Sequence, residues 1–580
     1  MRRRWHTESN LIRKMTGFTS IRAVFTVSGN GKPAERESIT AENEVIYWRD
    51  NCMKQWKLIF RLAIIGLFVS GPAWATTEAS KDLKNEANRQ INIKCINCHL
   101  KENASLVKQW EKSPHAAAKE GQVSCYTCHA ADNGDETAYM HEGALIKTIT
   151  SPRDCAFCHD REVKEMTKSH HATAGEIMAS LDNVVGEVIC SMEDKADAAN
   201  GCWQCHGSVV TILKDKDGTI LRNKVQAPQL DPMTWPNTGV GRINPDGTRG
   251  SCMACHSKHS FRASVARQPE NCGKCHLGPD HPQMEVFTES KHGIAYNTAI
   301  REGGMNGMNI LKQGSWILGK DYYTAPTCST CHMGAFVKVN GSIHPNSHDV
   351  GDRISWNLRA PISVKLNRAF FEDGTYTDIP GDIPPQVGQK AAYKSYKITD
   401  GKFKKTMTDK QVVKVLSWED RRSTMQEMCK SCHGIQQIEN FYKQFDALVV
   451  TYNEKFAKPG LMLWNEMKKD GLVKGSLFHS DAGWAWWEIW HHEGRRARHG
   501  AAMMGPDYTH WHGLYEVAHK FYFEYLPEVI KLAEEHGQLP KYQKIMDDLL
   551  ARPEHQWRKE GFGSEIEKMI KQEREERYGQ

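Results

Sequence analysis

Residues 95–99 read CINCH and residues 125–129 read CYTCH. The same C-x-x-C-H frame returns at 155–159 (CAFCH), 202–206 (CWQCH), 252–256 (CMACH), 272–276 (CGKCH), 328–332 (CSTCH) and 429–433 (CKSCH). These eight copies absorb 16 of the 18 cysteines and leave Cys52 and Cys190, the latter read as a buried free thiol. Two thiols three positions apart, followed at once by an imidazole, form the attachment pattern of a c-type haem. The thiols form thioethers to the macrocycle and the imidazole becomes an axial ligand of its iron. A disulfide scaffold has no use for a histidine after every pair.

The attachment pairs are therefore Cys95/Cys98, Cys125/Cys128, Cys155/Cys158, Cys202/Cys205, Cys252/Cys255, Cys272/Cys275, Cys328/Cys331 and Cys429/Cys432. The first axial ligands are His99, His129, His159, His206, His256, His276, His332 and His433. Second ligands are sought among the remaining histidines. An apolar residue followed by Ser-x-His recurs before His115, His171 and His292, and a shorter Ser-Lys-His ends at His259. With His141, His348 and His499 the candidates number seven for eight irons, which leaves one iron open to substrate. The fourth site, at Cys202, Cys205 and His206, is the candidate for that position.

The chain of 580 residues is 39% hydrophobic and 25% charged, with mean hydropathy -0.60, which excludes a polytopic membrane protein. Its 9% aromatic content excludes a disordered chain. From Met53 the sequence reads MKQWKLIFRLAIIGLFVSGPAWA, a basic start, a short apolar run and an A-x-A site ending at Ala75. This is a secretory signal, so residues 53–75 are read as a signal peptide and 1–52 as a non-native upstream extension. The mature chain is expected to be exported and soluble, in a periplasm or an equivalent lumen. Residues 1–75 hold 12 Lys+Arg and 6 Asp+Glu, so the remainder is formally neutral and becomes acidic with haem propionates. Nucleic acid is not an expected partner.

The spacing of the eight motifs is irregular, which excludes a solenoid. Residues 76–433 read as an octahaem domain and 434–580, with long helical periodicity and many aromatics, as a C-terminal helical bundle. The expected fold is mainly α. Two D-G turns, at Asp217-Gly218 and Asp400-Gly401, predict hairpins over Thr211–Leu221 and Tyr396–Val415.

Beyond the haem motifs, GPDHP at 278–282, YTAPTC at 323–328, GDRISWNL at 351–358 and MMGPDYTHWH at 503–512 stand out. With CWQCHG at 202–207 they resemble the octahaem hydroxylamine oxidoreductase family, including the hydrazine dehydrogenases of anaerobic ammonium-oxidising bacteria. The resemblance covers nearly all of residues 90–530. It implies a catalytic fourth haem at His206, crosslinked to a tyrosine of a neighbouring subunit in a covalent homotrimer. By motif that tyrosine is Tyr508, with Tyr515 as the alternative, and the proton-accepting pair is Asp280 and His281. The implied reaction is hydrazine oxidation to dinitrogen, with electrons passed to a c-type cytochrome. Hydroxylamine oxidation to nitric oxide or nitrite, a non-catalytic electron-transfer protein, and a nitrite reductase are the alternatives.

Overall fold

The computed structural model describes residues 81–579, except 120, 180–185, 187–195, 302–311, 313, 400–401 and 561–564. The signal segment, the upstream extension, Cys52 and Cys190 lie outside the described residues. Everything described belongs to one compact unit.

Helix suits the haem motif. Positions one, four and five of C-x-x-C-H fall on one side of a helical turn, so both thiols and the imidazole face the same way. Cys125–His129, Cys202–His206 and Cys328–His332 are single turns of this kind. The first and third open on capping boxes, Ser124 with Thr127 and Thr327 with Thr330, which satisfy end groups that so short a helix cannot satisfy itself. Two more motifs ride inside 17-residue helices, Glu86–Glu102 and Pro152–Lys168. The helix Trp418–Cys429 delivers the eighth motif from its last residue.

Residues 435–550 are almost wholly helical. The segments Ile435–Tyr452, Lys458–Lys469, Asp481–Glu488, Gly494–Met503 and Leu526–Glu535 are joined by π-helical turns or short connections. They enclose the largest apolar core of the protein, built on Tyr452, Leu463, Trp464, Trp486, Phe521, Tyr525 and Tyr542. Among the described residues no helix is long and apolar enough to cross a membrane.

Helix predominates, but residues 356–416 form an antiparallel sheet larger than the sequence suggested. Its order is Trp356–Asn357, Val364–Phe371, Lys402–Leu416, Lys390–Thr399, with Tyr376–Pro380 on a second register along Val364–Phe371. Lys390–Thr399 and Lys402–Leu416 pair as a long antiparallel ribbon, while the predicted turn residues Asp400 and Gly401 lie outside the described residues. The Asp217-Gly218 turn also doubles the chain back, Leu221 N–H donating to Leu213 O at 2.9 Å, but through isolated bridges rather than regular strands.

The sheet holds a buried ionic knot. Arg368, fully buried, donates to Asp349 at 2.6 Å and Asp378 at 2.7 Å, and Arg421 donates to Asp378 and to the carbonyls of Leu366 and Gly351. Asp378 also accepts from His170 at 3.0 Å. His348 and His171 each sit one residue from a member of this knot, so it fixes the backbone that carries them.

Candidate functional site: a histidine-lined haem cavity

All eight first-ligand histidines and all seven second-ligand candidates line one cavity of about 2840 Å³. Six pairs of rings face each other across it. Centroid separations are 6.2 Å for His99 and His141, 6.4 Å for His129 and His259, and 6.2 Å for His159 and His115. They are 6.4 Å for His256 and His348, 6.1 Å for His276 and His171, and 5.9 Å for His433 and His292. An iron held between two imidazoles requires this gap: two metal–nitrogen bonds of about 2.0 Å each plus the ring radii come to about 6 Å.

Ring orientation fits as well. His129 Nδ1 lies 2.8 Å from Lys147 O, His206 Nδ1 3.3 Å from Ala174 O and His332 Nδ1 3.3 Å from Val350 O. Donating Nδ1–H to a carbonyl fixes the tautomer and leaves Nε2 for the metal. Burial reinforces this by holding His256 and His276 neutral, their pKa values pushed down to about 4. The residues present therefore fit c-type haems.

The motifs are also placed in series. The thiols of Cys155 and Cys252, Cys205 and Cys275, and Cys272 and Cys328 are within hydrogen-bonding reach. Cys95 lies beside Cys125, Cys128 beside Cys158, Cys255 beside Cys272 and Cys331 beside Cys429. Sites one, two, three, five, six, seven and eight thus form a line, and the fourth opens onto the sixth.

The fourth motif is braced by backbone. Gly207 follows His206 at φ +80°, and a Cβ there would meet Arg242 N at 2.4 Å. No other residue allows the segment 239–242 to lie this close. Opposite Cys205 stands the GPDHP turn. His281 donates from Nδ1 to Asp280 in a short hydrogen bond and from Nε2 to Cys275 O at 3.0 Å. Both ring nitrogens are thus engaged, and the ring meets His276 edge-on at 81° while His171 occupies the facing position.

Two acceptors around one imidazole favour the doubly protonated ring. Burial is the largest influence on His281 and opposes its charge, but the hydrogen bond and negative charge of Asp280, with the Cys275 carbonyl, together outweigh it and raise the pKa. Burial likewise opposes the Asp280 carboxylate, yet His281, His491 and Arg495 bring its pKa down to about 2. Arg495 approaches the other carboxylate oxygen at 3.4 Å. His499 is half-buried on the cavity wall, its Nδ1 3.3 Å from the Gln283 amide that also meets His276. Arg498 beside it is anchored by four hydrogen bonds to Gly494 O, Ala360 O, Ser363 Oγ and Trp490 O.

Tyr508 lies apart from this cluster. Its N–H donates to Glu289 at 3.2 Å, its ring rests on His512, and it is not part of the cavity lining. Tyr515 is exposed beside Trp511. Sequence reasoning passed over Arg495, His491 and His492. The WHHEGRRARH run at 490–499 was the available signal, and only its last histidine was singled out.

Residues 243–377 match a family model described as seven times multi-haem cytochrome CxxCH, and residues 188–277 one described as cytochrome c7 and related cytochrome c. The fold is that of a multihaem c-type cytochrome. Among solved structures, this chain is similar to a hypothetical multiheme protein, at 24% identity and TM-score 0.59, over 83% of this chain and 100% of that one. It is also similar, at 18% identity and TM-score 0.48 over 80% and 87%, to a reducing HAO-like protein complex of Kuenenia stuttgartiensis. Among curated proteins it matches a probable nitrite reductase-hydroxylamine oxidoreductase fusion protein of that organism, 25% identical over 245 residues. The match takes in 41% of this chain and a quarter of the relative's length.

Proposed function

We propose that the chain is an octahaem oxidoreductase that oxidises a small nitrogen hydride at the fourth haem, hydrazine to dinitrogen or hydroxylamine to nitric oxide or nitrite. Electrons pass along the remaining haems to a c-type cytochrome. The observation that carries this reading is the Asp280–His281–Arg495 unit, half-buried on the wall of the cavity near Cys205. The relative named for hydroxylamine oxidation supports it.

Haem at His206 supplies an iron that takes a nitrogen lone pair and withdraws electrons. The chain's own residues handle the protons. Arg495 and His281 hold Asp280 in position. His281, once it has released its resting proton, accepts one from the substrate nitrogen, and Asp280 stabilises the charge it gains. Activity should therefore rise with pH through the raised His281 pKa.

A second reading is supported by the same charges. A protonated His281 beside Arg495 attracts an anion and is ready to donate, which suits nitrite reduction. In either case we propose residues 76–433 as the haem-bearing part, 434–580 as its helical support, and a homotrimer in which Tyr508 of each chain is crosslinked to its neighbour's fourth haem.

The test uses the purified holoprotein. Hydrazine or hydroxylamine should reduce cytochrome c in steady state, and denaturing electrophoresis should show a species three times the chain mass that Tyr508→Phe abolishes. Failure of both donors, with nitrite consumed by the chemically reduced protein, would replace oxidation with reduction. A monomer on the gel would remove the crosslink.

A further inference from the structure

Hydrazine oxidation yields four protons with its four electrons. The line of haem sites gives the electrons an exit, while the protons reaching Asp280 and His281 need another. Behind Asp280 the chain makes a π-helical turn, Ile489–Glu493, with the sequence IWHHE. π-turns inside helices recur at functional sites. This one sets three titratable side chains in succession.

His491 is buried on the cavity wall, and its charge reaches the Asp280 carboxylate. His492 lies in the fields of both Asp280 on the inner side and Glu488 on the outer. Glu493 is 4% exposed. Its Oε1 accepts from Arg496 at 3.1 Å, and its Oε2 has no hydrogen-bond partner among the described residues. Arg496 reaches on to Glu516 at 3.0 Å, and Glu516 faces His512 Nδ1 at 3.1 Å on the surface. Lys520, paired with Glu488 at 2.6 Å and with Glu524, closes the outer side. The Tyr452 phenol is the other titratable group against Glu493.

A salt bridge alone would explain Oε1, but not a buried carboxyl whose second oxygen is unpaired. Such a carboxyl favours its protonated form. Burial lifts Glu493 to about 7 against the pull of Arg496 and Lys520. The group therefore exchanges a proton near neutral pH.

We propose that Glu493 is the proton-holding station of an exit path from Asp280–His281 through His491 and His492 to Glu516 and His512 at the surface. Arg496 holds the carboxyl groups of Glu493 and Glu516 on either side of it, and protons cross between them through water. Each transfer moves a proton only, so no further reductant or oxidant enters. The path rests on oxidation at the fourth haem, and protons run inward along it if the reaction is reductive.

The test is Glu493→Gln in the fully haem-loaded protein. Turnover should fall at least about tenfold, less than the 10²–10⁴ expected for a group acting on the substrate itself. KM should hold, the solvent deuterium isotope effect should rise, and the pH profile should lose the limb of Glu493 while keeping that of His281. Glu493→Asp should restore that limb. Infrared difference spectra driven by chemical reduction of the haems, with no substrate, should show a carboxyl band in the wild type that the Gln variant lacks. A Gln variant with the wild-type pH profile and isotope effect, whether or not kcat falls, would reduce Glu493 to an anchor for Arg496 and overturn the path. A wild type inert toward every nitrogen substrate would instead defeat the proposed reaction, and the infrared band would still decide the protonation of Glu493.

Discussion

The haem-bearing region and the helical region after residue 434 solve the same problem by different means. In the second, Tyr452, Trp486, Phe521, Tyr525 and Tyr542 bury one another, and the core is made of protein. In the first, apolar clusters shrink to groups such as Leu318, Tyr322, Phe336 and Met428, set around a cavity walled by cysteine and histidine. Its side chains point at something other than each other. Order there depends on bonds to a macrocycle, whereas order in the bundle depends on close packing. The contrast explains why buried arginines, with their fixed forks, recur where the two regions join: Arg498 ties the helix Gly494–Met503 to residues 360–363.

The largest effect belongs to the cavity's chemistry. Asp280→Asn should lower turnover by roughly 10²–10⁴ while leaving the haem spectrum and the thermal midpoint nearly unchanged. A shifted haem spectrum would show that Asp280 acts on structure instead. Next, Trp486→Ala should cost about 3–5 kcal/mol in denaturant unfolding of the bundle, with all haems retained. Loss of haem with that variant would mean the two regions do not answer to separate rules.

At the joint, Asn453 accepts from Ser363 N–H at 2.9 Å and donates to Ser363 O at 2.8 Å, both buried. Asn453→Leu leaves those two backbone groups unpaired and should cost about 1–3 kcal/mol. The smallest effect is a pH slope. Burial pushes His555 down to about 4, so the unfolded chain binds a proton there that the folded one does not. Stability is thus intact above the ordinary histidine pKa and is lost as pH falls from about 6.5 toward 4, by at most about 1.4 kcal/mol per pH unit for one proton. His555→Gln should flatten that slope in chemical denaturation. Ligand histidines, held by iron, should add nothing to it.

The haem frame was legible because its chemistry needs five consecutive positions. The motif carries its own helix, and the seven second-ligand candidates, four of them chosen from the Ser-x-His pattern, all line the cavity. Which ring faces which was not legible, since His259 crosses to His129 over 130 positions and His348 to His256 over 92. Only folding brings such pairs together. The same holds for the Asp280 surroundings: the Asp-His pair is local and was found, but Arg495 arrives from 215 residues away. The sheet was under-read because Val364–Phe371 is buried on both faces and lacks the alternation that marks a strand.

The ribbon of residues 390–416 carries a liability of its own. Lys402–Gln411 is paired with Lys390–Thr399 alone, and only the stretch after Val412 is also held by Val364–Phe371. A two-stranded ribbon is marginal by itself. Eight lysines along it discourage edge-to-edge aggregation, yet each is also a trypsin site. Limited digestion should nick here first, giving two fragments that stay together through the buried sheet and keep every haem in place.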